Sequence, residues 1–551
     1  MRQIINAEIR GVPVLLFVLL AILSAGAAIL PHHLLPLALL ILPIFGVVVG
    51  IMLPPHMRGK IWGLAVSAST LLTAISMAWQ YDWHAGGYQF LVMGPKVAGL
   101  GFQFRLGVDQ ISLMLVLLTA ALHPLAVTAS MRSVQARTRE HYACMNFLLV
   151  TMLGTFMATD LLLFYAFFEM SLIPLFFIVG IWGGKDRRKA ANKLFLYTFA
   201  GSVFSMAGIL YIGLRVGSFY IPDVVLFAQT HMTDKERFWL FLSFFGAFAV
   251  KTPLFPLHTW LPLAHTEAPT AGSVDLAALV LKLGTYGFLR IALPIGIIKA
   301  DGSVLFPGIV SAVAVLCLIG ILYGALVAWA QTDIKKLVAY SSVSHLGVCV
   351  LGMLALNAPG MAGSMLYMIN HGIVSGALFL MVGMVYNRYH TRDIRELSGL
   401  AKGMPKFAFF FMLFVMAGVG LPGLNSFVSE ILSLAGAFTS SHLGMAYGTI
   451  GAIGVIFSAA YMLKLGSGVL FGPLYYPVLT AEHDTHETIH PKYVMGDDIT
   501  GREIAVLTPL AIAVVVLGVY PGPIIRALDQ PLRDIRHANI ADVQTASAQP
   551  Q

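Results

Sequence analysis

Runs of about 20 apolar residues recur from one end of the chain to the other, each long enough to cross a bilayer core as a helix. They lie near 11–31, 34–53, 61–80, 110–130, 143–159, 160–183, 190–214, 238–264, 272–298, 304–330, 333–356, 361–386, 405–439, 443–471 and 503–525. In lipid every backbone polar group must be satisfied internally, so a spanning segment is a helix or a strand of a closed barrel. Barrel strands alternate in character over ~10 residues, and these runs do not. The chain therefore reads as an all-α polytopic membrane protein with about 14–15 transmembrane helices. Only 11% of its 551 residues are charged and 58% are hydrophobic. A soluble domain carries roughly 25% charged residues, so this chain cannot coat a water-facing surface of its size.

The first run ends in Pro31-His32-His33, a poor small-residue cleavage site, and residues 1–33 are expected to hold a retained extra helix. The net charge of +8 would suggest nucleic acid in a soluble protein. Here the cations gather in alternate short loops: Arg58 and Lys60; Arg132, Arg137 and Arg139; Lys185, Arg187, Arg188 and Lys189; Lys335 and Lys336; Arg388, Arg392, Arg395, Lys402 and Lys406. The loops between them, such as Asn357-Ala358-Pro359, are nearly free of cations. By the positive-inside rule the basic loops and the N-terminus face the cytoplasm and the C-terminus the periplasm, with no nucleic-acid partner. The N-terminus lacks the Arg- and Ser-rich, acid-poor character of an import sequence, which favours a bacterial inner membrane. Cys144, Cys317 and Cys349 lie in apolar runs and none forms a CxxC, which excludes a cysteine zinc site or an iron–sulfur cluster held by this chain alone.

Two runs are interrupted, one at Val250-Lys251-Thr252-Pro253-Leu254-Phe255-Pro256 and the other at Gly418-Val419-Gly420-Leu421-Pro422-Gly423-Leu424-Asn425. Pro253, Pro256 and Pro422 remove donors, and Gly423 permits a bend. Backbone groups freed in a bilayer must face protein or water, so these breaks mark a polar interior. They lie an odd number of spans apart and hence in units of opposite topology, a pointer to a transport site near the midplane. The expected division is N-terminal helices over 34–130, a first five-helix inverted repeat over 143–298, and a second over 304–471. A loop, the last span and a tail fill 472–551. The GxGxxG spelled by Gly418 to Gly423 follows no strand, so it is a helix break and not a dinucleotide site.

An ionised side chain at the bilayer centre costs from ~2.5 kcal/mol upward, so the few found there face the interior and usually act. They are Glu169, Lys251, Asp275, Lys282, His345, His371 and Glu430. Glu169 lies too deep to reach water and needs a cation or a proton, and Lys251 is its natural partner. A static packing pair is the bland alternative, but buried pairs stabilise weakly. Asp275 precedes Lys282 by seven residues and is expected on its face. Ser341 and Ser375 stand four residues from His345 and His371, placed to orient the rings or hold water. Buried amines and imidazoles exchange protons near neutral pH, so the set has the composition of a proton wire. Moving one charge across 100 mV costs ~2.3 kcal/mol, so the wire must be driven from outside the chain. Gly320/Gly324 and Gly372/Gly376 are spaced for close helix contact. The loop Glu482-His483-Asp484-Thr485-His486-Glu487, with His490, has metal-capable side chains but no fixed geometry, and no metal site is expected.

Several strings carry a resemblance: Phe168-Glu169-Met170-Ser171-Leu172-Ile173-Pro174 followed by Gly180-Ile181-Trp182-Gly183-Gly184; Lys251 through Pro262; and Ala268-Pro269-Thr270-Ala271-Gly272-Ser273. Over about 34–525 the chain resembles the antiporter-like, proton-translocating membrane subunits of respiratory complex I, NADH–quinone oxidoreductase. Within them it is most similar to the subunit M (chain 4) family, because Glu430 stands at the second break where related chains carry lysine. The resemblance implies that Glu169 and Lys251 form a coupled pair, Lys282 and His345 a central relay and Glu430 an exit; His371 also matches a family histidine. It implies L-, N- and K-like membrane neighbours in a hetero-oligomer. It implies no cofactor in this chain, with flavin, iron–sulfur clusters and quinone in partner subunits. The alternatives are a subunit of a multi-chain cation/proton antiporter and an inert membrane scaffold.

Overall fold

The computed structural model describes residues 32–52, 59–97, 99, 101–473 and 497–536. The expected helix at 11–31 and the His-rich loop at 482–490 lie outside the described residues.

Every apolar run from 34 onward is helical. Among the described residues, eleven helices are long and apolar enough to cross a membrane. They are α1 (Leu35–Met52), α2 (Lys60–Gln80), α3 (Gln110–Ser133), the kinked α5/α6 (Leu161–Met170, Leu172–Trp182), α7 (Arg187–Val216), α11 (Thr270–Gly296), α12 (Pro307–Ala330), α13 (Ile334–Leu354), α14 (Ala358–Tyr389), α17 (Met445–Leu470) and α18 (Gly501–Val519). The other three runs are α4 (Thr138–Met157) and two broken helices, α9/α10 (Asp234–Lys251, Trp260–Glu267) and α15/α16 (Pro405–Val419, Asn425–Thr439). Elements without a long apolar run include an antiparallel hairpin of β1 (Gln89–Lys96) and β2 (Gln103–Val108), the short α8 (Ile221–His231), and the amphipathic α19 (Gly522–Arg536).

The bundle is built for lipid outside and polarity inside. Leu196 and Phe204 on α7, Trp329 on α12, Ile456 on α17 and Val519 on α18 are exposed. The almost wholly buried α11, α13 and α14 carry Lys282, His345 and His371. Small residues let these helices close: a methyl added at Gly324 would lie 3.0 Å from the Ser344 nitrogen, and one at Gly372 2.9 Å from the Ala278 carbonyl oxygen. The basic loops meet at one end, where Lys60 donates to the Met131 carbonyl, Lys335 to Ala268, Arg392 to Thr266, and Arg388 pairs with Glu503. Bridges joining Leu106 to Ala158 and Asp160 to Tyr220 tie the hairpin end together.

Both expected breaks are present, and each satisfies the backbone it frees. After Lys251 the chain is non-helical over 252–259, and the Trp260 indole donates to the Val250 carbonyl (3.0 Å). At the second break Gly420 (φ 81°) and Gly423 (φ 91°) adopt left-handed conformations, with Leu421 N–H reaching back to the Met416 carbonyl. A third interruption was not expected. Ser171 separates α5 from α6, three residues before Pro174, whose missing N–H leaves the Met170 carbonyl without its helical donor.

Candidate functional site

The expected site residues fall into two groups and an outlier. The first group lies at the α9 break. Lys251 is 1% exposed; its ammonium donates to Ser171 Oγ (3.0 Å) and sits 4.7 Å over the Phe168 ring. Glu169 interacts electrostatically with Lys251, yet no direct ion pair joins them, and one of its carboxylate oxygens is buried without a hydrogen bond. The expected coupled pair is thus a pair at one remove, with Ser171 and Phe168 the groups that touch the amine.

The second group is drawn from five helices and is hydrogen-bonded at every step but one, between His371 and His345, where His371 Nε2 has no partner. Lys282, fully buried on α11, donates to the Ala277 carbonyl (2.7 Å) and lies 2.7 Å from Nδ1 of His371 on α14. The His371 and His345 rings meet edge to face, 6.0 Å between centroids and 62° between planes. A cavity of about 10 Å³, lined by both rings with Ser341 and Ser375, lies beside them, about the space one water fills. His345 Nδ1 is 2.7 Å from the Tyr367 hydroxyl, which donates to Glu430 Oε1 (2.9 Å); its Nε2 is 3.0 Å from the Tyr461 hydroxyl. One tautomer satisfies all three contacts: Nδ1–H donates to Tyr367, and Nε2 accepts from Tyr461. The direct His345–Glu430 separation is 3.7 Å, so Tyr367 bridges the two. Gly420 brings the second break against the same carboxylate, since a methyl there would collide with Glu430 Oε2.

One local expectation is corrected and another narrowed. Asp275 does not serve Lys282. A π-helical turn over Leu276–Val280 breaks the register between them, and Asp275 Oδ2 lies 3.1 Å from Nδ1 of His123 on α3. Ser341 and Ser375 do not orient the rings by hydrogen bonds, though both line the water-sized cavity beside them. Ser341 donates to the Val338 carbonyl and Ser375 to the His371 carbonyl, the local back-bond open to a helical serine. No hydrogen bond or ion pair among the described residues joins the Lys251 group to Lys282.

Residues 158–458 match the family model for NADH:quinone oxidoreductase/Mrp antiporter transmembrane regions, and residues 37–159 match the amino terminus of NADH-ubiquinone oxidoreductase chain 4. The chain is 41% identical over 513 residues to NADH-quinone oxidoreductase subunit M of Rhodobacter capsulatus, covering 90% of this chain and 94% of that one. It is 37% identical to NADH-ubiquinone oxidoreductase chain 4 of Arabidopsis thaliana, covering 88% and 93%. The chain belongs to the subunit M (chain 4) family.

Its fold matches a chain of respiratory complex I from Thermus thermophilus at a TM-score of 0.78 and 29% identity, over 92% of this chain and 99% of that one. A chain of the Mrp complex from Dietzia sp. DQ12-45-1b gives 0.79 at 21% identity, over 92% and 98%, a likeness of fold alone. Membership of the subunit M family makes this a multi-pass membrane subunit of a hetero-oligomer, as the resemblance implied.

For a subunit M chain, the sequence reading passed over several interior groups. His123 carried the same signal as the other intramembrane histidines. Tyr367, Tyr461 and Ser171 carried none, being types that pack anywhere. His265 on α10 is fully buried, stacked on Phe379 with centroids 4.7 Å apart, and neither ring nitrogen has a partner. Lys335, assigned to a loop, is buried and caps the C-terminal carbonyls of α10.

Proposed function

We propose that the chain works as the proton-translocating subunit M of a bacterial NADH:quinone oxidoreductase, with its basic end in the cytoplasm and α19 at the periplasmic face. Protons pass along Lys282, His371, His345, Tyr367 and Glu430. Glu169, Ser171 and Lys251 form the coupled site that loads this file, and the two broken helices belong to inverted repeats. The observation that carries the reading is the file of titratable groups and tyrosine from Lys282 to Glu430, hydrogen-bonded at every step but the one between the His371 and His345 rings, where a water-sized cavity lies, and buried across the middle of a lipid-facing bundle. Burying so many ionisable groups is costly, and packing alone does not repay it.

The driving force comes from redox chemistry in partner subunits, which hold the flavin, iron–sulfur clusters and quinone; this chain supplies proton carriers and the backbone breaks between them. The Mrp-like fold keeps a cation/proton antiporter as the second reading, and Glu430 favours the first. The test is the assembled complex in proteoliposomes. Lys251→Ala and Glu169→Gln are expected to lower NADH-driven quinone reduction and proton uptake sharply while the complex stays assembled. Wild-type turnover and proton stoichiometry in assembled Lys251→Ala would overturn the reading.

A further inference from the structure

A second cavity of about 420 Å³ opens away from the polar file, between α2, α3, α14, α18 and α19. Its walls include Leu118 and Ala121 on α3, Ile369 and Ile373 on α14, Ala513 on α18 and Ile524 on α19; every lining side chain is apolar, so its occupant forms no hydrogen bond with the wall. On α3 the lining runs from Met114 to Leu125, about 16 Å of helix at 1.5 Å per residue. That is about the depth of one leaflet, half of the ~30 Å hydrocarbon core. On α18 the lining runs from Pro509, mid-helix, to Leu517, two residues short of the helix end. The groove thus extends from the middle of the membrane to the interface where α19 begins.

The α19 helix is amphipathic. Leu528, Leu532 and Ile535 are buried while Arg526, Asp529, Gln530 and Arg533 are exposed, the pattern of a helix lying in the headgroup layer. Arg533 pairs with Asp529, whereas Arg526 has no ion pair among the described residues. A spanning helix about 10 Å across and 30 Å long fills roughly 2,400 Å³, more than twice the ≈ 1020 Å³ of empty space in this groove, and water has nothing to bond to in it. We propose that the groove is a binding site for one acyl chain of a phospholipid from the leaflet on the α19 side, with its phosphate at the level of Arg526. Ile369 and Ile373 lie two residues either side of His371, so the chain backs α14 on the face opposite the proton file and keeps water from it.

The test uses the assembled complex in mild detergent and phosphatidylethanolamine carrying a diazirine midway along one acyl chain. Irradiation is expected to label peptides 114–125 and 509–517, and to label them at least about fivefold less in Ala121→Phe and Ala513→Phe. Labelling of the exposed face of α7 should not change. Ile524→Trp closes the mouth without entering the bundle and gives the same loss if the phenylalanine variants fail to assemble. Three results overturn the proposal: equal labelling in the variants; no labelling of the wild-type groove, as when a neighbouring subunit's helix covers it; or labelling that detergent exchange removes as readily as that of α7.

Discussion

The ammonium of Lys282 stands 2.7 Å from Nδ1 of His371, and its one other acceptor among the described residues is the Ala277 carbonyl in the π-helical turn. The contact puts a donor and an acceptor of one proton at bonding distance across two buried helices. His371→Leu removes the acceptor and leaves the amine with a single partner. The variant is expected to assemble and to lose about tenfold or more in NADH-driven proton uptake, the range in which positioned proton-transfer groups act. Wild-type uptake in proteoliposomes would place the proton route elsewhere.

Tyr367 makes the next link. Tyr367→Phe keeps the ring and removes the one hydroxyl bonded to both His345 and Glu430, leaving them 3.7 Å apart. A severalfold fall in coupled turnover is expected with unchanged complex yield. Tyr461→Phe removes a contact to the other ring nitrogen and none to Glu430, so its loss should be smaller. Equal effects of the two substitutions would refute the bridging role.

Why the sequence exposed some of this and hid the rest follows from what each feature costs. A 20-residue apolar run has few alternatives to a helix in lipid, so the spans were legible. A charge at the bilayer centre is expensive, so Lys282, His371 and Glu430 stood out singly. Their connection did not. Tyr367 and Tyr461 are far cheaper to bury than a charge and so do not stand out, and only coordinates show where a hydroxyl points. Asp275 was misplaced because a π-helical turn has no residue signature yet rotates everything beyond it. The hairpin, α8 and α19 stayed hidden because each is too short and too mixed to register as an apolar run. The pairing of Ser171 with Lys251 joins residues 80 apart, a distance that periodicity cannot bridge.

The second break gives a paired test. Gly420 and Gly423 share the left-handed conformation, which costs an alanine ~1–2 kcal/mol. A methyl at Gly423 meets nothing within 4 Å, whereas at Gly420 it strikes the Glu430 carboxylate. Both alanine variants are expected to lower the thermal stability of the complex, but only Gly420→Ala should also reduce proton uptake. Parallel loss of uptake in Gly423→Ala would mean that backbone strain, and not displacement of Glu430, is responsible.

The pair formed by His123 and Asp275 is buried at 0% exposure on both sides, with His123 Nε2 and Asp275 Oδ1 left without partners. No hydrogen bond or ion pair among the described residues joins it to either polar group, and it links α3 to α11. Removing one member of a buried pair strands the other at a cost of ~3–5 kcal/mol, whereas replacing both with apolar residues is often neutral. His123→Leu is therefore expected to cut the yield of assembled complex strongly, and so is Asp275→Leu. The double variant should recover most of that yield, with proton uptake per complex near wild type. Thermal unfolding of the four complexes measures the coupling between the sites. If the double variant assembles but fails to pump, the pair carries protons as well as load, and the file from Lys282 to Glu430 is not the whole route.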